Sequence, residues 1–130
     1  MGTIKNHKDL VVWQDAMDAA MDIYLTTKSF PAEEKFSLTD QIRRSSRSVA
    51  ANMAEAWRKR RYEAAFKSKL NDAEAEASET QTWVEMALRC QYIDAETAAR
   101  LDQRYEIIIG KIVVMIGSAK KWIIGRQDNS

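Results

Sequence analysis

The sequence has few of the residues that interrupt helices or build covalent and metal sites. Among 130 residues it has one proline, four glycines, one cysteine and one histidine. Few prolines and glycines means few strong helix breakers. The lone Cys90 cannot form an internal disulfide, which fits a reducing compartment. His7 and Cys90 form no cluster with metal-ligand spacing, and no glycine-rich phosphate loop is present. These absences predict a helical, non-enzymatic protein with no cofactor and no metal.

Long apolar runs are also missing. Residues 1–9 are polar, and no apolar segment of the secretory type follows them. The run at 107–117 is interrupted by Lys111 and falls short of the roughly 20 residues that span a bilayer. We therefore predict a cytoplasmic protein without a membrane segment. The length fits one domain, residues 1–130.

Helical periodicity is what the sequence does contain. Apolar residues recur at three- and four-residue spacing in four stripes. The stripes predict helices at about 9–29, 38–57, 61–90 and 94–122, with 125–130 as a frayed tail. The first stripe comprises Leu10, Trp13, Met17, Ala20, Met21 and Tyr24, and the second comprises Leu38, Ile42, Ser45, Val49, Met53 and Ala56. The third comprises Tyr62, Phe66, Leu70, Ala73, Ala77, Thr80, Val84 and Leu88, and the fourth comprises Ala98, Leu101, Tyr105, Ile108, Ile112, Met115, Ala119 and Trp122. Ser37 and Asp94 are the predicted N-caps of the second and fourth helices.

The second and third stripes are not separated by glycine or proline, but their phases differ by roughly 100°. This shift indicates a break near Arg58 to Arg61. Four helices with short connections predict an all-α, up-and-down four-helix bundle.

Charge is segregated along the chain, although the net charge is only +1. Nine cations and two acids lie between Arg43 and Lys69, whereas the segment from Asp72 to Glu85 has five acids and no cation. A basic face of this kind is typical of phosphate binding. The candidate nucleic-acid-binding residues are Arg43, Arg47, Arg58, Lys59, Arg60, Arg61, Lys67 and Lys69.

Two other interpretations of the charges stay open. In the first, basic and acidic patches pair between the subunits of a homo-oligomer. In the second, the charged helix faces are only solvated. The charge pattern alone favours these two together over nucleic acid.

A polar row runs beside the apolar stripe of the second helix: Gln41, Arg44, Ser48, Asn52 and Glu55. This position predicts a buried hydrogen-bonded network between helices, or a subunit seam. Trp57 and Trp83 fall off the apolar stripes, so we predict that they lie at a subunit interface. Stacking on a base is the alternative for Trp57. Cys90 adjoins the third stripe and is expected to be a small buried hydrophobe.

Three segments carry a family resemblance: "DLVVWQDAM" at 9–17, "FPAEEKFSLTDQIRRSSRSVAANMAEA" at 30–56 and "ARLDQRYEIIIGKI" at 99–112. Through them the chain resembles the bacterial four-helix-bundle family of 23S rRNA intervening-sequence proteins. Relatives of that family include the accessory variability determinant of diversity-generating retroelements. The family's usual Asn-Ile-Ala-Glu-Gly run ends here in Ala56 instead of glycine, so the turn is expected nearer Arg58.

The resemblance implies a ring-like homo-oligomer, a homopentamer, with RNA or DNA as partner of its basic surface. It also implies a reverse transcriptase or other protein as a candidate partner. The residues and the resemblance together predict a non-enzymatic accessory or scaffold protein that binds RNA or DNA. The alternative is a purely structural or protein-binding oligomer whose basic and acidic patches pair between subunits.

Overall fold

Four long helices make up the computed structural model, which describes residues 3–125; the predicted frayed tail at 125–130 lies outside the described residues except for Gly125. Their bounds are Val11–Thr27 for α1, Leu38–Arg58 for α2, Glu63–Arg89 for α3 and Ala95–Gly117 for α4. Short 3-10 turns lie at His7–Asp9, Ala32–Glu34 and Ala119–Lys121. Residues 3–125 contain no strand, so the all-α prediction is confirmed for this part of the chain.

The helices are arranged so that each packs on the next along the chain, and α1 also packs on α4. Two ion pairs fix the antiparallel register of α2 and α3: Arg44 contacts Glu79, and Glu55 contacts Lys69. The start of α1, the end of α2, the start of α3 and the end of α4 therefore share one end of the bundle.

The core agrees with the apolar stripes of α2, α3 and α4. Ile42, Phe66, Leu70 and Ile112 are almost completely buried. A buried polar contact also joins α2 to α3, because the hydroxyl oxygens of Ser45 and Thr80 lie 2.8 Å apart.

The stripe predicted for α1 is wrong in phase. The buried residues of α1 are Val12, Ala16, Ala19, Ile23 and Thr27. Met17 and Met21, which were expected in the core, are 40% and 52% exposed. The physical reason is that α1 is apolar on both sides, so its periodicity does not distinguish the side that packs from the side that faces outward.

The helix ends depart from the sequence-based expectations in three places. Ser37 occupies the N-cap position of α2 but makes no capping bond with its side chain; the Glu34 carboxylate accepts a hydrogen bond from the Leu38 N–H instead, at 3.1 Å. The helix predicted to reach 122 ends at Gly117 and is followed by a 3-10 turn. Cys90 is exposed rather than buried. Asp94 caps α4 as predicted, since its carboxylate accepts from the Thr97 N–H at 2.8 Å.

Candidate nucleic-acid interface

The turn between α2 and α3 carries the chain's densest run of cations. The turn begins at Lys59 and is closed by the Tyr62 N–H, which donates to the Lys59 carbonyl at 3.2 Å. It lies where the phase shift between the two stripes indicated a break. The side chains of Arg58, Lys59 and Arg61 are exposed and form no hydrogen bond or ion pair with any residue in 3–125. These three charges are therefore available to a partner.

Arg60 has a different role, because it holds the turn together. Its guanidinium lies 3.4 Å from the centroid of the Trp57 ring, and its Nε donates to the Trp57 carbonyl at 2.8 Å. Partial burial, together with the nearby Arg58 charge, lowers the pKa of Arg60 from its ordinary value. The Arg60 carbonyl in turn accepts from the Ile124 N–H at 3.0 Å, which ties the chain's C-terminal segment to this turn.

The position of Trp57 contradicts the interpretation drawn from its place off the stripe. The side chain is only 6% exposed and packs in the core, edge-on to Trp122 at 6.3 Å between ring centroids. Little of the ring is left for a base or for another subunit. Its burial has a physical cause: residues 119–124 fold back over the end of α2 and cover a position that an isolated helix would expose.

The bundle's topology adds cations that sequence reasoning missed. Lys5 and Lys8 precede α1, and Lys120 and Lys121 follow α4, so all four lie at the same end as the α2–α3 turn. All four are exposed. We call this surface the basic end; it comprises Lys5, Lys8, Arg58, Lys59, Arg61, Lys120 and Lys121. The order of the predicted helices was the available signal, because an up-and-down bundle brings its two chain ends to the second turn.

The remaining candidate cations divide into free and engaged side chains. Arg47 on the outer face of α2 and Lys67 on α3 form no side-chain hydrogen bond or ion pair within residues 3–125. Arg43 is engaged: its Nε donates to the Thr27 hydroxyl at 2.8 Å. Its guanidinium also lies 4.8 Å from the centroid of the Tyr24 ring.

Lys69 is engaged as well. Its ammonium group contacts the Glu55 carboxylate at 2.8 Å and the Asp72 carboxylate at 3.7 Å. The hydrogen bond to Glu55 is the main cause that raises the pKa of Lys69. Lys69 therefore contributes less free charge than its place in the sequence suggests.

The polar row of α2 forms a surface seam with α3, not the buried network predicted for it. Arg44 pairs with Glu79 at 2.6 Å and Glu76 at 3.7 Å, and its side chain is 49% exposed. Asn52 accepts a hydrogen bond from Lys69 at 3.4 Å. Glu55 completes the seam through its own pair with Lys69, whereas Gln41 is exposed. The row lies about a quarter turn from the core, which in this bundle places it on the rim of the α2–α3 contact.

Trp83 belongs to the same seam and is partly buried against the core. Its indole Nε1–H donates to the Glu79 carboxylate at 3.1 Å. Glu79 thus binds both Arg44 and Trp83, which gives Trp83 a role within its own chain.

Most carboxylates of the acidic segment are engaged in ion pairs inside the chain. Asp72, Glu76, Glu79 and Glu85 each form an ion pair with Lys69, Arg44 or Arg89. Of the five acids, only Glu74 forms no side-chain bond with any of residues 3–125. These acids therefore already have partners in their own chain, although Arg44 is shared by Glu76 and Glu79.

Within residues 3–125 no three His, Cys, Asp or Glu side chains are grouped to hold a metal ion. No helix there is long and apolar enough to cross a membrane.

The comparisons with known proteins identify the family. The model of the 23S rRNA-intervening sequence protein family matches residues 8–114. The chain belongs to that family. The match begins in the 3-10 turn before α1 and ends in the second half of α4, so it includes all or part of each of the four helices.

A crystal structure shows the same fold. It is that of a protein of unknown function from the S23 ribosomal protein family of Bacteroides thetaiotaomicron VPI-5482. The two proteins are 33% identical, with a TM-score of 0.74, over 82% of this chain and 98% of the other. No curated protein matches this chain.

Proposed function

We propose that this chain is a non-enzymatic, cytoplasmic, homo-oligomeric accessory protein that binds RNA or DNA through its basic end and the adjoining outer face of α2. The observation that carries the proposal is the set of unpaired cations at one end of the bundle. Seven exposed lysines and arginines converge there from three segments of the chain. Asp9 and Glu63 also lie at this end, but the cations outnumber them, and a dense basic surface attracts the phosphate backbone without base preference.

The internal pairing of the acidic segment argues against charge pairing between subunits. Four of its five acids already bind cations of the same chain. A neighbouring subunit's basic end would have to compete with these contacts. Phosphate groups supplied by a nucleic acid meet no such competition.

The test is binding of a labelled RNA hairpin and a labelled DNA duplex across a range of salt concentrations. Wild-type protein is expected to bind at low salt, with log K falling linearly against log salt. The test variant replaces Arg58, Lys59 and Arg61 with glutamine. Loss of three phosphate contacts should reduce the slope by about 2 to 3, since each contact contributes about 0.7 to 0.9.

A control variant removes the same charge at the opposite end of the bundle. It replaces Arg89, Arg100 and Arg104 on α3 and α4 with glutamine, which keeps the outer face of α2 intact, and it should leave the slope unchanged. The proposal is refuted if wild type shows no binding at low salt, or if both triple variants lose affinity equally.

Self-association is the second part of the proposal, and a different surface supports it. On α1, Met17, Met21 and Leu25 recur every four residues and are 40–59% exposed. On the neighbouring α4, Val114 is 68% exposed, and Gly110 has open space around it. Exposed apolar side chains that recur along one helix and on its neighbour support a protein contact. The family resemblance implies a ring of five, which would repeat the basic end and raise avidity for an extended nucleic acid.

Native mass spectrometry tests the assembly. Replacing Met21 and Val114 with lysine should shift the mass to the monomer, because charge is poorly tolerated in the core of an interface. Ala64→Lys with Ser78→Lys, on the exposed side of α3, should not shift it. If the variant with lysine at positions 21 and 114 keeps the wild-type mass, these surfaces of α1 and α4 do not form the contact between subunits.

A further inference from the structure

A surface cleft of about 560 Å³ lies where the segment before α2 meets the outer face of that helix. Lys35, Phe36, Thr39, Asp40, Arg43 and Arg47 are among its lining residues. We infer that this cleft binds an unpaired nucleotide of RNA or single-stranded DNA, with the base stacked on Phe36. The inference rests on the proposed nucleic-acid function and adds to it a preference for unpaired over duplex segments.

Phe36 is the first observation that supports this ligand. Its side chain is 88% exposed, so the ring contributes almost nothing to the core of its own chain. The Lys35 ammonium lies over one face of the ring, 5.4 Å from its centroid, and the other face is the one that can stack a base. An open aromatic ring next to a cation can stack a base of any identity while the cation meets the phosphate.

The charges around the cleft are the second observation. Arg43 is held in place by Thr27 and Tyr24, so its charge is fixed at the cleft without an acidic partner. Arg47 and Lys35 form no ion pair within residues 3–125 and are free to turn toward phosphates. Three positive charges at a pocket of nucleotide size suit the sugar–phosphate part of the ligand.

Asp40 makes the cleft unsuited to a ligand that carries only negative charge. Asp40 is among the residues that line the cleft, and its negative charge would repel a bare phosphate or polyphosphate. A nucleotide presents a neutral base as well, and exocyclic amino groups of cytosine or adenine donate to carboxylates. The mixture of one acid, one aromatic ring and several cations therefore favours a nucleotide over an inorganic anion.

The cleft is also connected to the basic end. One side of α2 carries a row of residues spaced by four, three and four positions. The row consists of Arg47, Ala51, Ala54 and Arg58. Because alanine side chains are short, the surface between the two arginines is shallower than at the arginines themselves. At 1.5 Å per residue, Arg47 and Arg58 are about 17 Å apart along the axis. A single strand has a continuous path, whereas the bases of a duplex are paired and cannot reach Phe36.

The experiment compares three proteins and two probes. Wild type, Phe36→Leu and Phe36→Tyr are titrated with an unstructured RNA 12-mer and with an RNA duplex of equal phosphate number, at low salt. Leucine retains apolar bulk but has no π face. Because Phe36 is exposed, all three proteins should melt at the same temperature.

We expect Phe36→Leu to bind the single strand about five- to a hundredfold more weakly, the range for one base–aromatic stack. Its affinity for the duplex should change less than twofold, and Phe36→Tyr should match wild type on both probes. The inference is overturned if Phe36→Leu binds the single strand like wild type, or weakens both probes equally. It is also overturned if the substitution changes the native mass but not RNA binding, because Phe36 would then contact a second protein chain.

Failure of the underlying function gives a different result. Wild-type protein that binds neither probe at low salt would overturn the nucleic-acid proposal and this inference together. Wild-type binding that is indifferent to Phe36 would overturn the stacking site alone.

Discussion

Replacing Trp57 with alanine measures directly whether this tryptophan is part of the core. The side chain is 6% exposed and contacts both Trp122 and Arg60. A buried aromatic side chain removes about 150–250 Å² from water, and about 25 cal/mol per Å² gives roughly 4–6 kcal/mol. Residual compactness of the unfolded chain reduces this value. We therefore expect Trp57→Ala to lower the free energy of unfolding by about 3–5 kcal/mol, as buried aromatic truncations do.

Urea denaturation followed by far-ultraviolet circular dichroism is the suitable assay, because it does not depend on tryptophan fluorescence. Tyr62→Ala is the control: this residue lies in the adjacent turn and is 67% exposed, so its loss should change the stability by no more than about 0.5 kcal/mol. The measurement is repeated at several protein concentrations, since the stability of an oligomer depends on concentration.

The result that would refute the reasoning is a loss below about 1 kcal/mol for Trp57→Ala. If Trp57→Ala loses stability only at protein concentrations where its native mass also falls, Trp57 contributes to a subunit interface.

Two further predictions concern the end of α3. Gln91 has a backbone φ of 64°, in the left-handed region that favours glycine. Gln91→Gly should therefore raise the free energy of unfolding by about 0.5–1 kcal/mol, measured by thermal melting. The same gain in Gln91→Ala would contradict this explanation. The Tyr92 hydroxyl donates to the Glu34 carboxylate at 2.7 Å, and this bond is the main cause that lowers the pKa of Glu34 from its ordinary 4.5. A depressed carboxyl pKa stabilises the fold above pH 4.5 and the contribution is lost as the pH falls through the lower, folded-state pKa. The stability difference between wild type and Tyr92→Phe should therefore shrink in acid, and a difference that is constant from pH 7 to acid would contradict the assignment.

The helices with a one-sided apolar stripe were predictable from sequence. On α2 the predicted stripe includes Ile42, Val49 and Met53, and all three are buried, because the remaining faces of that helix are charged or polar. On α1, methionines and leucine lie on the outer side as well. Hydrophobic period alone could not choose between two apolar faces, since both have the same spacing.

The candidate site was predictable in composition but not in geometry. The sequence shows the cations from Arg43 to Lys69, yet it does not show that Arg43, Arg60 and Lys69 are held by contacts within the chain. Lys5 and Lys120 are distant from Arg58 in sequence, so their proximity follows only once the predicted helices are arranged as an up-and-down bundle. The exposure of Phe36 was not predictable from sequence, because one aromatic residue in a short connection has no periodicity.

The sequence by itself determined the class of fold, the family and the place where α2 gives way to α3. These follow from local physics: helix propensity, apolar period and a shift of phase act over one or two turns. Only the tertiary structure decided which charges remain free. An ion pair such as Arg44 with Glu79 forms when two antiparallel helices set their register, and the fold of residues 119–124 over Trp57 depends on the closure of the whole bundle.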